Sequence, residues 1–186
     1  MKVWRGFTEY FLYIFPGTTV VMTWDFSWRD RQIYWIFLFT MTTAIMNFTK
    51  IAYHEPRPYW DNSLLFEEEC SAGYGNPSGH SMMAATFAVA VILETFESAK
   101  GKTVSRVVIC VLVGLLMTAY FILLGWSRLI VGVHSLNQVL YGWILGIWLA
   151  LACHFCVREP ITERARGFLK NTQTATTKEI VVVVIL

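Results

Sequence analysis

Long apolar stretches separated by short polar joints dominate this chain, and they restrict what it can fold into. A helix needs about 20 apolar residues to cross the hydrocarbon core of a bilayer. Five stretches are candidates: 7–24, 33–49, 81–96, 104–125 and 136–157. The first is the weakest, because Glu9 and the Pro16-Gly17 pair interrupt it, and the sequence leaves open whether it spans. Hydrophobic residues make up 55% of the chain and charged residues 15%, which is typical of membrane proteins.

These stretches predict an all-α fold, an integral membrane helical bundle with four to five transmembrane helices. The last span carries Gly142 and Gly146, whose spacing allows close helix packing, although chance explains such a pair equally well. We assign residues 1–157 to a membrane-embedded domain and residues 158–186 to a cytoplasmic basic tail. The tail ends in the apolar run 179–186, which is too short to cross a bilayer.

Charge and cysteine content argue against several classes of protein. The formal net charge of +2 is too small to predict binding to nucleic acid. The four cysteines form no disulfide framework, and Cys153 and Cys156 lie three apart on a predicted helix, which favours packing over redox chemistry. We expect no metal and no other cofactor. The sequence leaves the oligomeric state open.

The distribution of basic residues predicts an orientation in the membrane. Residues 25–32, 97–106 and 158–178 lie on one side of the predicted bundle and hold ten lysines and arginines, whereas the other side holds five. Loops rich in lysine and arginine face the cytoplasm. The second side is therefore predicted to face a lumen or the cell exterior, in the endoplasmic reticulum or the plasma membrane.

Three polar blocks lie at the ends of predicted spans, and alternation of the spans brings all three to that second side. The first block runs from Lys50 to Pro58 and places Arg57 seven residues after Lys50. If a helix continues through the block, seven steps return to nearly the same face, and both cations can reach one anion. Arginine holds two phosphate oxygens at once, and lysine acts as a point charge. Ordinary snorkelling of basic side chains is the alternative.

The second block, residues 77–80, reads Pro-Ser-Gly-His and opens an apolar span. A helix N-terminus presents free N–H groups, which makes it a ready site for an anion. Ser78 can cap the helix and donate to a phosphate oxygen, and Gly79 allows the backbone to approach closely. His80 is then at the mouth of the site. A structural cap with a solvated histidine is the alternative.

The third block, residues 127–134, supplies Arg128 and a second histidine, His134. Two histidines near an arginine-bound phosphate suggest a division of labour. One is neutral and attacks phosphorus, and the other is protonated and donates to the leaving oxygen. Histidine suits both tasks because it titrates near neutral pH. An interfacial arginine and a loop histidine without function are the alternative for this block alone.

In this order and with this internal spacing, the three blocks resemble the signature of the type 2 phosphatidic acid phosphatase superfamily. That signature reads Lys-x6-Arg-Pro, Pro-Ser-Gly-His and Ser-Arg-x5-His-x3-Asp, and the match runs from Lys50 to Gln138. The family includes lipid phosphate phosphatases, dolichyl diphosphate phosphatases and glucose-6-phosphatase. The resemblance implies a helical core like that of soluble acid phosphatases and vanadium haloperoxidases, commonly with six spans in lipid-type members.

The resemblance also implies a role for each matching residue. The phosphate-binding residues are Lys50, Arg57, Ser78, Gly79 and Arg128, the general acid is His80, and the nucleophile is His134. Gln138 stands where the signature has aspartate, four residues after His134. It can accept a hydrogen bond from the imidazole and orient the nucleophile, but it lacks the charge. We expect Gln138→Asp to leave or raise activity.

The sequence thus predicts a membrane phosphatase that hydrolyses a phosphomonoester or diphosphate, first of all of a lipid, through a phosphohistidine. The expected partners are a phosphorylated lipid or small-molecule phosphate and the bilayer itself. A sugar phosphate hydrolase similar to glucose-6-phosphatase is the alternative within the enzyme class. A non-catalytic anion transporter and an inactive scaffold are alternatives of a different class.

Overall fold

The computed structural model describes residues 29–61, 73–101 and 103–174, and every regular element in these ranges is a helix. The predicted span 7–24 and the apolar run 179–186 lie outside the described residues. The helices are α1 (Arg29–Tyr53), α2 (Pro58–Asp61), α3 (Gly79–Ala99), α4 (Val104–Ile130), α5 (Leu136–Ala152) and α6 (Arg158–Thr174), with a π-helical turn at Cys153–Val157. The predicted all-α fold is confirmed.

Four segments among the described residues are long and apolar enough to cross a membrane. They are Asp30–Asp61, Gly79–Ala99, Val104–Ile130 and Leu136–Leu169. Each contains one of the four stronger spans predicted from the sequence. The helices extend beyond the apolar stretches because polar residues at their ends continue the same backbone hydrogen bonding. The protein is a multi-pass integral membrane protein.

Helix α3 is the centre of the bundle and packs against both α4 and α5. Two glycines of α5 make the second contact possible. A Cβ added at Gly142 would lie 2.7 Å from the carbonyl oxygen of Ser78, and one at Gly146 would press still closer on the carbonyl of Met82. Thr86 donates a hydrogen bond across the same contact, from Oγ1 to the Gly146 carbonyl at 3.2 Å. The close packing predicted from the glycine spacing is confirmed.

Helix α4 presents most of its apolar surface outward. Leu115 and Leu116 are 64% and 65% exposed, and their neighbours Val108 and Leu112 are also exposed. A continuous apolar face of this size is stable in contact with lipid and unfavourable in water.

Ion pairs tie α6 to the rest of the bundle at the end opposite the three polar blocks. Arg158 donates to Glu94 from Nη2 to Oε2 at 3.0 Å, and its Nε makes a second bond to Oε1. Arg166 donates from Nη2 to Asp30 Oδ2 at 2.8 Å. Glu94, the one acidic residue inside the predicted span 81–96, is therefore paired, as a charge in a membrane segment requires.

The chain passes residue 157 without leaving the helical state, since α5 continues through the π-helical turn into α6. Part of the predicted polar tail is thus a helix that packs on α1, with Thr162 and Ala165 buried. Among residues 158–169 the charged side chains are exposed or paired. The division of the chain at residue 157 into a membrane domain and a tail stays a prediction.

Candidate active site

The helix does not continue through the block from Lys50 to Pro58. Such a continuous helix was the condition for placing Lys50 and Arg57 on one helical face. Helix α1 ends at Tyr53, and His54 follows in the left-handed region with φ 48°. Its N–H donates to the Lys50 carbonyl at 3.2 Å, which closes the last turn. Arg57 therefore lies in a non-helical stretch before α2. Lys50 and Arg57 converge because the chain turns, not because they share a helical face.

Backbone carbonyls hold both cations of this block in place. Arg57 donates from Nε to the Gly73 carbonyl at 2.8 Å and from Nη1 to the Val133 carbonyl at 3.1 Å. Lys50 donates from Nζ to the Tyr74 carbonyl at 3.2 Å. A neutral carbonyl orients a cation without cancelling its charge. Arg57 is only 3% exposed, so this charge lies inside the protein.

The third block folds as the end of α4 followed by a tight turn. Arg128 lies in the last turn of α4, is 1% exposed, and is among the largest fully buried side chains in the described residues. Gly132 then adopts φ 76°, a conformation that favours glycine, and the chain reverses. His134 follows in the turn and is 4% exposed. Its Nε2 lies 3.5 Å from Arg57 Nη1.

The second block starts α3 beside α5. The N–H of Ser78 donates to the Gln138 carbonyl at 3.0 Å, which joins the N-terminal ends of the two helices. Ser78 occupies the N-cap position, but its side chain makes no capping hydrogen bond; Ser81 Oγ donates to Ser78 Oγ at 2.9 Å instead. At Gly79 a Cβ would lie 2.5 Å from Met46 Sδ, so glycine permits the contact with α1. His80 follows, half-buried, in the first turn of α3.

The hydrogen bonds of Gln138 fix the proton on His134. Gln138 Nε2 faces the carbonyl of Pro56 at 2.9 Å, which can only accept, and Oε1 faces the N–H of Ser135 at 3.3 Å, which can only donate. Because Oε1 also lies 3.2 Å from His134 Nδ1, that ring nitrogen must carry the hydrogen. The lone pair is then on Nε2, the nitrogen that faces Arg57.

Burial keeps this imidazole neutral. It lowers the pKa of His134 well below its ordinary value, and the nearby guanidinium groups of Arg57 and Arg128 and the ammonium of Lys50 lower it further. The hydrogen bond to Gln138 opposes these effects. A neutral imidazole and several cations thus share one buried space, and a phosphate dianion entering it would meet a positive potential.

Four residues outside the predicted set complete the surroundings of Gln138. Glu55 Oε1 accepts from Gln138 Nε2 at 3.0 Å and from Asn137 Nδ2 at 3.2 Å, and its Oε2 accepts from Asn76 Nδ2 at 2.6 Å. A Cβ at Gly75 would lie 2.5 Å from Gln138 Nε2. The sequence signal for Glu55 is its place inside the first block, between Lys50 and Arg57.

The structure therefore brings together Lys50, Arg57, Arg128, His134 and Gln138, with the N-terminus of α3 beside them. All these groups come from the ends of α1 and α4 and the starts of α3 and α5, at one end of the bundle. Within residues 29–61, 73–101 and 103–174, no group of three His, Cys, Asp or Glu side chains is arranged to hold a metal ion.

The fold has a known counterpart. The crystal structure described as the first transmembrane PAP2-type phosphatidylglycerolphosphate phosphatase, from Bacillus subtilis, superposes with a TM-score of 0.64 at 20% sequence identity. The alignment covers 91% of this chain and 76% of the Bacillus chain. At this identity the likeness concerns the fold.

The sequence gives the family directly. No curated protein matches it. The model of the PAP2 superfamily matches residues 33–161, well over half of the chain, and includes all three polar blocks. The resemblance drawn from those blocks is confirmed. This membrane protein, with its buried cations around one imidazole, belongs to the PAP2 superfamily.

Proposed function

We propose that this protein is a membrane phosphatase that hydrolyses a phosphomonoester or diphosphate at the non-cytoplasmic face, with His134 as nucleophile. One observation carries the proposal. The unprotonated Nε2 of a buried, neutral His134 lies 3.5 Å from Arg57 Nη1, in the space that Arg128 also borders. A nucleophile beside a guanidinium is suited to a phosphoryl group, whose oxygens the cation binds while phosphorus is attacked.

In the first step the Nε2 lone pair forms a bond to phosphorus, and the bond from phosphorus to the leaving oxygen breaks. His80, protonated, gives its proton to that oxygen as it departs. Lys50, Arg57 and Arg128 stabilise the charge on the three equatorial oxygens. The Nδ1 proton stays on the ring, where Gln138 Oε1 accepts its hydrogen bond.

In the second step water resolves the phosphohistidine. His80, now neutral, takes a proton from the water while the oxygen bonds to phosphorus and the P–N bond breaks. Inorganic phosphate leaves, and both histidines return to their starting protonation states. No redox change and no co-reactant other than water are required.

A lipid phosphate is the substrate class we favour. The site is at the ends of membrane helices, and exposed aromatic side chains surround it, including Tyr53 at 54% and Trp60 at 48% exposure. Aromatic residues of this kind favour the membrane–water interface, where a lipid headgroup lies. The ring of Tyr74 packs on that of Trp60 with centroids 6.2 Å apart, close to the Lys50 contact.

The test is release of phosphate by detergent-solubilised protein from a panel of substrates. The panel contains phosphatidic acid, phosphatidylglycerol phosphate, an isoprenyl diphosphate and glucose 6-phosphate. We expect turnover of at least one lipid and none by His134→Ala, because that variant lacks the nucleophile. Rapid quench with labelled substrate is expected to trap an acid-labile, base-stable phosphoprotein in the wild type and not in the variant.

Each other outcome would change one part of the proposal: the substrate, the nucleophile or the class of protein. Preference for glucose 6-phosphate would replace the lipid by a soluble sugar phosphate. Turnover by a well-folded His134→Ala, judged by its elution on size exclusion, would contradict the nucleophile. Binding of phosphate with no hydrolysis of any substrate by the wild type would favour an anion transporter or an inactive scaffold.

A further inference from the structure

We propose that Glu55 is a positioning residue for His134 and acts through the side-chain amide of Gln138. The carboxylate holds the Gln138 NH₂ group, and the amide in turn presents its oxygen to the imidazole. This inference rests on the proposed function, since it assigns Glu55 a part in preparing the nucleophile. It also replaces the aspartate that the family signature has at position 138. The negative charge of Glu55 then lies beyond the Gln138 amide and farther from the His134 ring.

The carboxylate of Glu55 is surrounded by amide donors. Oε1 accepts from Gln138 Nε2 at 3.0 Å and from Asn137 Nδ2 at 3.2 Å, and Oε2 accepts from Asn76 Nδ2 at 2.6 Å. A carboxylate can accept hydrogen bonds on both of its oxygens. The three amide donors therefore hold this carboxylate in place, and bonds to a charged acceptor are stronger than neutral ones.

The amide of Gln138 has only one orientation that satisfies its neighbours. Its two N–H hydrogens meet Glu55 Oε1 and the Pro56 carbonyl, both of which only accept. A flipped amide would set its oxygen against these two acceptors and turn its NH₂ toward the Ser135 N–H. Gln138 is 1% exposed, so water does not compensate for such an error. Glu55 thus acts together with the Pro56 carbonyl and the Ser135 N–H to hold the orientation that His134 needs.

The charge also changes the strength of the contact with His134. A carboxylate that pulls on the amide hydrogens increases the electron density on the amide oxygen, which then accepts more strongly. The stronger acceptor holds hydrogen on Nδ1 and keeps the lone pair on Nε2. As the imidazole gains positive charge during attack on phosphorus, the same contact stabilises it.

This arrangement revises the expectation for Gln138→Asp. An aspartate there would lose both amide donations and place a second carboxylate close to Glu55. We now expect Gln138→Asp alone to lower activity. The double change Glu55→Gln/Gln138→Asp exchanges the two functional groups, so that the new amide donates to the new carboxylate. We expect it to be more active than either single variant.

The experiment is this double-mutant cycle, measured on the panel substrate that the wild type cleaves best. We expect Glu55→Gln to lower kcat on the order of tenfold or more, as loss of the partner behind a metal-bound imidazole does, while KM stays nearly constant. KM changes little because the phosphate-binding cations are untouched. Glu55→Asp is expected to recover part of kcat. The matched control is Glu159→Gln, an exposed carboxylate in the first turn of α6.

A second readout does not depend on turnover. Nitrogen-15 NMR of labelled histidine, assigned with His134→Ala, is expected to show His134 protonated on Nδ1 in the wild type and a mixture of tautomers in Glu55→Gln. Gly75→Ala gives an independent route, because its methyl group would displace the Gln138 amide while leaving Glu55 charged. If Glu55→Gln does not fold, Gly75→Ala tests in its place whether the Gln138 amide fixes the tautomer of His134.

The two proposals fail differently. A wild type that hydrolyses none of the substrates would overturn the proposed function, and the tautomer measurement would still test Glu55. An active wild type with Glu55→Gln within twofold of its kcat and an unchanged tautomer would overturn the role of Glu55 alone. A double variant less active than both singles would also contradict the exchange of charge between the two positions.

Discussion

At the scale of single residues, the burial of His134 predicts how stability depends on pH. The folded state lowers the pKa of this ring far below the ordinary value of about 6.5. As pH falls below about 6.5, the unfolded chain binds a proton that the folded site refuses, so unfolding becomes more favourable. The stabilisation that His134 contributes to the folded state is fully present above about pH 6.5. It declines by up to about 1.4 kcal/mol for each pH unit below that value.

The measurement is the free energy of unfolding in detergent between pH 7.5 and 4.5 for wild type and His134→Asn. Contributions from other groups are common to both proteins, so the quantity that matters is the difference between the two slopes. The wild type is expected to lose stability more steeply. Identical slopes would mean that the ring takes up its proton in the folded protein.

The residue types of the site could be predicted from the sequence, but their geometry could not. Arg57 would share a helical face with Lys50 only if the helix continued that far. Helix α1 ends at Tyr53, and Arg57 lies in the non-helical stretch beyond His54. Glu55 could not be identified from the sequence, because the role of a carboxylate depends on the hydrogen-bond donors around it. Those donors come from residues 76, 137 and 138, and only folding brings them there.

At the scale of helices, the contact of α5 with α3 predicts which glycines matter. Gly146→Ala adds a methyl group against the Met82 carbonyl and 3.1 Å from Ala85 Cβ, and the backbone of α3 yields less readily than a flexible side chain. Such overpacking costs about 1–3 kcal/mol. The same contact positions the N-terminus of α3 at the site, so we expect activity to fall together with thermal stability.

Gly114→Ala in α4 is the matched control, since nothing lies within 4 Å of a Cβ there. It should keep activity and gain up to about 1 kcal/mol from the lower flexibility of alanine. The midpoints of thermal unfolding in detergent separate the two variants. A Gly146→Ala protein as stable as Gly114→Ala would show that the helices can move apart without loss.

The four stronger spans could be predicted because hydropathy depends on local composition. Their ends could not, because polar residues extend each helix past its apolar part: α4 continues to Ile130 and carries Arg128 within its last turn. Beyond residue 157 the sequence predicts only a basic tail. Residues 158–174 form a helix that packs on α1, and this tertiary contact cannot be read from composition.

At the scale of the whole molecule, alternation of the helices explains how three distant blocks form one site. Helices α1 and α4 end where α3 and α5 begin, so residues 50–57, 78–80 and 128–138 meet. The opposite end holds the pairs of Arg158 with Glu94 and of Arg166 with Asp30. The bundle itself has no preferred side of the membrane, and orientation depends on the charges of its loops.

The excess of lysine and arginine at the end opposite the site predicts that this end faces the cytoplasm. Two cysteine substitutions in a cysteine-free background test it: Asp61→Cys, exposed beside the site, and Lys100→Cys, in the exposed joint between α3 and α4. In sealed microsomes with the cytoplasmic face outward, an impermeant maleimide should label Lys100→Cys at once and Asp61→Cys only after detergent. A lumenal marker protein controls for leakage. The reverse pattern would place the site in the cytoplasm, and the substrate would then have to be a phosphate presented on that leaflet.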